Sequence, residues 1–333
     1  MSFEAQALDG AKGALGQIVR FCLTYDVGAD PGAPRSLIAK FPVADPDVRA
    51  RYHAWGIYER EVRFYQALAP RIALRTPRCF YSDIQMDTGA CILLLEDLAP
   101  AQNGDRAAGC LSVQTERIVR DAARFHAAWW ENPQLLEFEW VPPYGAVLLQ
   151  GLQAMYRQCW GTFVEIMGDA LPEAMLALVE EVGERLPEIY RRLGSPWTLV
   201  HNDFMLDNFF FDLDPDTYSF AVIDWQLITR ACGMMDVASF LGGNVSIADR
   251  RAHEMGLLRT YHALLVEHGV GDYMFEQCLD DYRLAMFDGF MRMVMAMGSG
   301  DLREEQMRTH RDVICPRFCA AVIDLDAGAL LPG

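Results

Sequence analysis

Hydrophobic and polar positions alternate in the first third of the chain, within short segments separated by turn residues. Four of these segments are rich in β-branched and aromatic residues and predict strands: residues 18–25, 36–41, 78–82 and 91–95. Between residues 47 and 69 the apolar positions recur every three or four residues, which predicts a helix. The first third is therefore predicted to be a small antiparallel sheet with one helix.

From residue 112 onward the apolar positions have the period of amphipathic helices. Five long helices are predicted: residues 115–130, 148–167, 171–193, 247–268 and 274–297. Short apolar segments at 198–200 and 218–223 predict two strands within a polar island. The Ala-, Pro- and Gly-rich stretch 96–109 predicts a linker or hinge. The pattern as a whole predicts an α+β protein with a small sheet-containing lobe and a larger, mainly helical lobe.

Composition and charge exclude several classes of protein. Of the 333 residues, 52% are apolar and 23% are charged, which is typical of a globular protein and excludes a disordered chain. The net charge of −17 argues against a nucleic-acid partner, because binding to phosphates requires Lys and Arg. The N-terminus lacks the pattern of a signal peptide, and no run of about 18 apolar residues predicts a membrane span. We therefore expect a cytoplasmic protein with no membrane partner.

The nine cysteines lack the paired spacing of a disulfide framework or a zinc site. Cys315 and Cys319 stand four residues apart, a spacing that places both on one face of a helix. We expect them to be small buried residues rather than metal ligands.

Lysine is scarce in this chain. Only two of the 29 basic residues are lysines, Lys12 and Lys40, and Lys40 lies in a strand that is otherwise apolar. Any chemistry that needs an ammonium group therefore points to Lys40. The predicted helix that follows Lys40 offers Glu59 and Glu61.

The polar island places carboxylate and amide side chains at the ends of two predicted strands. Asp203 and Asn208 follow one strand, and Asp224 follows the other. Acids that converge at neighbouring strand ends repel each other unless a cation lies between them. Carboxylate and amide oxygens suit Mg²⁺ rather than zinc, so the island predicts a magnesium site.

The spacing His201-Asn202-Asp203-x4-Asn208 resembles the catalytic loop of protein kinases, with Asn202 in place of the usual Arg. The triplet Ile223-Asp224-Trp225 and the segment Gly233-x-x-Asp236-Val237-Ala238 differ from protein kinases. They resemble the aminoglycoside phosphotransferase/choline kinase-like family of small-molecule kinases. This resemblance implies a bilobal protein-kinase-like fold. Residues 1–98 would form the nucleotide-binding lobe, with a hinge at about 95–100, and residues 99–333 a helical lobe with the catalytic loop and substrate site.

The resemblance also implies a role for each residue of the predicted site. Asp203 would accept the proton of the acceptor hydroxyl or orient it, and His201 would brace the loop. Asn208 and Asp224 would hold Mg²⁺. Lys40 would hold the phosphates of ATP. Its partner would be Glu61, which stands three residues before Phe64-Tyr65 as in the family, with Glu59 as the alternative.

Two further segments are expected to contact the nucleotide. Glu96 and Leu98 resemble the family's hinge, where backbone N–H and C=O groups pair with adenine. Gly10, Gly13 and Gly16 precede a predicted strand and would place backbone N–H groups over the phosphates.

The expected activity is phosphorylation of a hydroxyl on a small molecule, with ATP and Mg²⁺ as cofactors. Two alternatives stay open: a nucleotide-binding pseudokinase that acts as a sensor, and a metal-dependent phosphohydrolase. The acceptor could be a cation such as an aminoglycoside or choline, or an apolar alcohol. Five side chains of the helical lobe are candidates for its pocket: Tyr156, Trp160, Asp280, Asp281 and Asp288.

Overall fold

The structure is a computed structural model and describes residues 2–8, 16–28, 30–212 and 219–331. Its strands are β1 Ser2–Ala7, β2 Gly16–Thr24, β3 Ser36–Pro42, β4 Cys79–Ile84, β5 Cys91–Glu96, β6 Gln102–Asn103, β7 Thr198–Val200, β8 Phe209–Phe211, β9 Phe220–Val222 and β10 Thr229–Ala231. Its α-helices are α1 Pro46–Ala54, α2 Ile57–Arg63, α3 Ser112–Ala128, α4 Ala146–Met167, α5 Glu173–Arg192, α6 Met234–Asn244, α7 Ile247–Glu267, α8 Phe275–Gly298, α9 Glu304–Thr309 and α10 Cys315–Asp324.

The chain divides into two compact units. The first unit comprises residues 1–102 and 209–228, and the second comprises residues 103–208 and 229–333. Residues 209–228, which the sequence pattern placed with the helical part, belong to the first unit because of contacts that are distant in sequence. The Val222 N–H donates to the Arg75 carbonyl at 2.8 Å, and Trp225 stacks on Phe64 with ring centroids 4.1 Å apart. The predicted assignment of nucleotide and substrate to separate lobes stays a prediction.

The first unit is built on a five-stranded antiparallel sheet in the order β1-β2-β3-β5-β4. The four strands predicted in this region are confirmed. The edge strand β1 was not predicted, because its sequence SFEAQA carries one large apolar residue and is exposed throughout. Phe3 packs edge-on against Phe21 of β2, with ring centroids 5.3 Å apart.

The single helix predicted between residues 47 and 69 is divided by a break at Gly56. Gly56 has a φ of 71°, a left-handed conformation that ends α1 and starts α2 in a new direction. The side chain of Asp45 caps α1 by accepting the N–H groups of Asp47 and Val48. A π-helical turn at Phe64–Leu68 continues α2. Because α2 is reoriented, its buried face includes Glu61.

The second unit is mainly helical, and all five long helices predicted there are present. The helix α8 is its centre, with apolar side chains buried along most of its length. Three further helices, α6, α9 and α10, were not predicted. In α6 nearly every residue is buried, so its sequence lacks an amphipathic period. On α10, Cys315 and Cys319 are both buried with their sulfur atoms 3.9 Å apart, as the spacing predicted.

Among the described residues, no helix is both long enough and apolar enough to cross a membrane.

Two helical glycines provide a matched test of packing between α4 and α5. A Cβ at Gly183 of α5 would lie 2.2 Å from Cε1 of Tyr156, whose hydroxyl is fixed by donating to the Val179 carbonyl at 2.5 Å. A Cβ at Gly256 of α7 would meet no atom within 4 Å. We expect Gly183→Ala to lower the free energy of unfolding by about 1–3 kcal/mol. We expect Gly256→Ala to raise it by about 0.5–1 kcal/mol. Urea denaturation measures both, and equal effects would contradict this packing.

Candidate active site

Lys40 lies on β3, which pairs with β2 on one side and β5 on the other. Its ammonium donates to both carboxylate oxygens of Glu61, at 2.7 and 2.8 Å, and to Oδ1 of Asp224 at 2.8 Å. The Lys40 side chain is 19% exposed. We name these three side chains the lysine cluster.

The lysine cluster keeps Lys40 protonated. Burial acts to lower the pKa of Lys40, but the negative charges of Asp224 and Glu61 outweigh it and raise that pKa above its ordinary value. Lys40 is therefore a fixed positive charge at physiological pH.

The geometry distinguishes the two glutamates of α2. Glu61 faces inward and binds Lys40, whereas Glu59 accepts a hydrogen bond from Nε of Arg63 on the same helix at 2.6 Å. The structure therefore pairs Lys40 with Glu61 rather than with Glu59.

Asp224 is held by its neighbours in a left-handed backbone conformation, with a φ of 68°. Asp tolerates this conformation better than most residues. Its Oδ2 accepts a hydrogen bond from Nε2 of Gln226 at 3.1 Å, and the Gln226 carbonyl accepts one from Nε of Arg60 on α2 at 2.8 Å. The position of the Asp224 carboxylate is thus fixed from both α2 and β3.

The loop between β7 and β8 belongs to the second unit up to Asn208 and contains the remaining predicted residues. Nδ2 of Asn208 donates to the Asp203 carbonyl at 2.8 Å and to Oδ2 of Asp203 at 2.9 Å. The Asp203 N–H donates to Nδ1 of His201 at 3.2 Å, and His201 is buried. The loop is therefore closed on itself around Asp203.

The buried carboxylate of Asp236 on α6 binds the backbone of this loop. Asp236 accepts the backbone N–H groups of His201 at 2.7 Å and of Asn202 at 2.8 Å. His126 of α3 lies 3.3 Å from the same carboxylate through Nε2, and its Nδ1 lies 2.8 Å from the Tyr261 hydroxyl. The sequence pattern identified Asp236 only as part of a family-like segment and assigned no role to His126. Their role in supporting the loop depends on contacts more than 30 residues apart and was missed.

The predicted hinge has its side chains bound to the protein. The Glu96 carboxylate accepts both Nη2 of Arg75, at 2.7 Å, and the Arg78 N–H, at 2.9 Å. The Leu98 carbonyl accepts the Ala101 N–H at 2.9 Å. A cavity of about 490 Å³ within the first unit adjoins these residues and is lined by Arg75, residues 96–101, Asp212 and Ser219.

The glycine segment is described only at its end. Gly10 and Gly13 lie outside the described residues. Gly16 begins β2, and a Cβ there would lie 2.6 Å from the Phe41 carbonyl of β3, so strand pairing alone accounts for a glycine at this position.

The side chains suggested for a substrate pocket make bonds within the protein. Tyr156 is buried between α4 and α5, and Trp160 stacks against it. Asp281 accepts the Tyr273 hydroxyl at 2.9 Å, and Asp280 accepts Nη1 of Arg283 at 3.0 Å. Asp288 is buried against Tyr190 and Arg292.

Residues 12–269 match a family model described as the ecdysteroid kinase-like family. The chain belongs to the ecdysteroid kinase-like family. Members of this family are small-molecule kinases, so the chain is an enzyme of the phosphotransferase class with a hydroxyl group as acceptor. The resemblance inferred from the catalytic-loop spacing is thereby confirmed. No curated protein sequence matches the chain.

Solved structures agree with the family assignment at the level of the fold. A candidate aminoglycoside phosphotransferase from Ralstonia eutropha JMP134 is 15% identical over 100% of this chain and 94% of its own, with a TM-score of 0.59. The GDP and kanamycin complex of APH(2″)-IIIa is 13% identical over 99% and 94%, with a TM-score of 0.55. A microcompartment-associated aminopropanol kinase is 13% identical over 99% and 94%, with a TM-score of 0.53. The predicted kinase-like α+β fold is confirmed.

The protonation of the buried Asp281 can be tested through the pH dependence of the protein's stability. Burial raises its pKa from 3.8 to about 6, although the Tyr273 hydrogen bond acts to lower it. The folded state therefore binds this proton more readily than the unfolded state, so the carboxyl becomes destabilising as the pH rises through about 4 to 6. We expect Asp281→Asn to raise the melting temperature above about pH 7 and to change it little near pH 4.

The matched control is Asp280→Asn, since Asp280 is about half exposed and pairs with Arg283 at the surface. Differential scanning calorimetry across this pH range measures both variants. A stabilisation by Asp281→Asn that does not depend on pH would contradict the assigned protonation.

Proposed function

We propose that the chain is an ATP- and Mg²⁺-dependent kinase that phosphorylates a hydroxyl group of a small molecule. The observation that carries the proposal is the lysine cluster, in which a strand lysine is fixed by a helix glutamate, as phosphoryl transfer requires. The chain has one other lysine, so the placement of Lys40 is a specific feature of this sequence.

In the proposed reaction the Lys40 ammonium binds oxygens of the α- and β-phosphates, and Glu61 positions it. Phosphoryl transfer involves little covalent chemistry by the protein, so fixing charge at the right place supplies most of the rate. The neighbouring Glu96–Leu98 segment would pair with the adenine through its backbone, which would make the identity of its side chains unimportant. Gly16, which begins β2, would lie near the phosphates.

Asp203 would accept or orient the proton of the attacking hydroxyl. The hydrogen bond from Nδ2 of Asn208 to Oδ2 of Asp203 orients the Asp203 carboxylate. Because Asp236 and His201 fix the backbone from residue 201 to residue 203, the base does not need to reorganise when the hydroxyl arrives.

The donor chemistry of Asn208 and Asp224 fits Mg²⁺. Nδ2 of Asn208 is used in binding Asp203, which leaves its Oδ1 as the ligand atom, and Asp224 supplies a carboxylate. The residue after Asn208 pairs in the β8–β9 hairpin with Val222, two residues before Asp224. Mg²⁺ commonly binds one or two protein ligands and completes its shell with phosphates and water. When bound, it would neutralise charge on the β- and γ-phosphates.

Kanamycin and aminopropanol, named with two of the similar structures, are amines that carry hydroxyl groups. They support a hydroxyl acceptor for this chain, while its own residues must determine the rest of the acceptor's chemistry.

The decisive experiment measures ADP formation from ATP over a panel of hydroxylated amines, sugars, sterols and hydroxy acids, with Mg²⁺ and with EDTA. We expect acceptor-dependent ADP formation that requires Mg²⁺. We expect Asp203→Ala to lower kcat at least about a hundredfold while Mg·ATP binds within a few-fold of the wild type, because the base does not hold the nucleotide.

The exposed Asp272→Ala is the matched control and should retain activity. Phosphate release without ATP would indicate the phosphohydrolase alternative, and nucleotide binding without turnover would indicate the sensor. Loss of Mg·ATP binding in Asp203→Ala would contradict the assignment of Asp203 as the base.

A further inference from the structure

Two arginines from separate elements lie beside the loop that contains Asp203. Arg292 of α8 donates from Nη2 to Oδ1 of Asn202 at 2.7 Å. Arg106, in the segment between β6 and α3, has its Nη1 3.9 Å from Oδ2 of Asp207. All of these residues belong to the second unit.

The two guanidinium groups are close enough to influence each other and Asp203. Burial lowers the pKa of Arg106 and the charge of Arg292 adds to that lowering, while Asp207 and Asp203 oppose it. Both arginines nevertheless stay protonated in the accessible pH range. Two like charges in a partly buried region repel each other, and an anion between them would remove that repulsion.

Arg106 has few hydrogen-bond partners for a side chain that is mostly buried. It is 12% exposed, and its Nε makes no hydrogen bond within the described part of the chain. Its closest carboxylate lies 3.9 Å away, at the limit of an ion pair. The guanidinium of Arg106 therefore keeps donors that an anion could bind.

Arg317 fixes the backbone at Arg106, which limits where the Arg106 side chain can lie. Arg317 of α10 donates from Nη1 to the Arg106 carbonyl at 2.6 Å and to the Gly243 carbonyl at 3.1 Å. His310 is also near, since burial lowers its pKa and the positive charge of Arg106 contributes to that lowering. Arg106 and Arg317 therefore lie together here, with Asp207 as the closest carboxylate to Arg106 in the described part of the chain.

The three acids suggested for the substrate pocket make hydrogen bonds within the protein. Asp288 accepts Nε of Arg292 at 2.5 Å and the Tyr190 hydroxyl. Asp280 and Asp281 are bonded to Arg283 and Tyr273. Each of the three suggested acids therefore already binds a donor of the protein, and Asp281 and Asp288 are also buried.

We propose that the acceptor is an anionic hydroxyl compound, a hydroxycarboxylate or a phosphate monoester, whose anionic group binds Arg106 beside Asp203. Guanidinium groups bind carboxylates and phosphates through two parallel hydrogen bonds, and Arg292 adds positive charge on the same side. The inference rests on the proposed function for the role of Asp203 as the base.

The test measures binding with two matched sets of probes, in the presence of saturating AMP-PNP and Mg²⁺ at constant ionic strength. The first set is glycerate, glycerol 3-phosphate, glycerol and 3-aminopropane-1,2-diol. The second is gluconate, glucose 6-phosphate, glucose and glucosamine. In at least one set we expect an anionic member to bind at least about tenfold more tightly than its neutral and cationic counterparts. The carboxylate and phosphate members distinguish the two anion types.

Arg106→Gln should remove that preference, and Arg106→Lys should retain part of it because the charge remains. Arg308→Gln, on the exposed face of α9, is the matched control and should bind like the wild type. The inference is overturned if the anionic probes bind Arg106→Gln as tightly as the wild type, if the cationic probes bind most tightly, or if no anionic probe binds below roughly 10 mM.

ADP formation measured with the same probes, with ATP in place of AMP-PNP, separates this inference from the proposed function. An anion that binds through Arg106 without being phosphorylated would leave the anion site standing and contradict phosphotransfer. Efficient phosphorylation of an amine would contradict the anionic acceptor and leave phosphotransfer standing.

Discussion

The ion pairs of Lys40 are the interaction on which the first unit depends most. They join β3, α2 and Asp224, which stands two residues after β9, so the three segments are far apart in sequence. Removing either carboxylate would leave a buried charge less compensated, which is far more destabilising than losing a surface ion pair. Under the proposed function, the same ammonium also binds the phosphate oxygens of the nucleotide. Stability and the proposed chemistry therefore depend on one side chain.

In the second unit, hydrogen bonds hold the residues of the candidate site in place. The loop around Asp203 contains a left-handed residue, Asn202, with a φ of 65°. That conformation persists because Asp236 accepts its N–H while Arg292 and Tyr144 bind its side-chain oxygen. These hydrogen bonds hold the loop of the proposed base in place, and they bring the positive charge of Arg292 next to Asn202.

The residues of the candidate site could largely be read from the sequence, because Asp203, Asn208 and Asp224 stand in a short motif and Lys40 is conspicuous in a chain with two lysines. The arginines beside Asp203 could not. Arg106 and Arg292 lie 97 and 89 residues from Asp203 and have no local pattern, so only tertiary contacts reveal them. The same reason explains why the grouping of residues 209–228 with the first unit was missed. Strand β1 and helix α6 were missed for a different reason, since one is exposed and the other buried on every side, and neither has an amphipathic period.

The most direct test of the central claim is a double-mutant cycle on Lys40 and Glu61, measured as kcat/KM for ATP. If Glu61 acts only by positioning Lys40, then Lys40→Met should lower kcat/KM by roughly a hundredfold or more, and adding Glu61→Gln should lower it little further. Circular dichroism of each variant establishes that the fold is retained. Full additivity of the two losses in folded variants, or wild-type kcat/KM in Lys40→Met, would contradict the account.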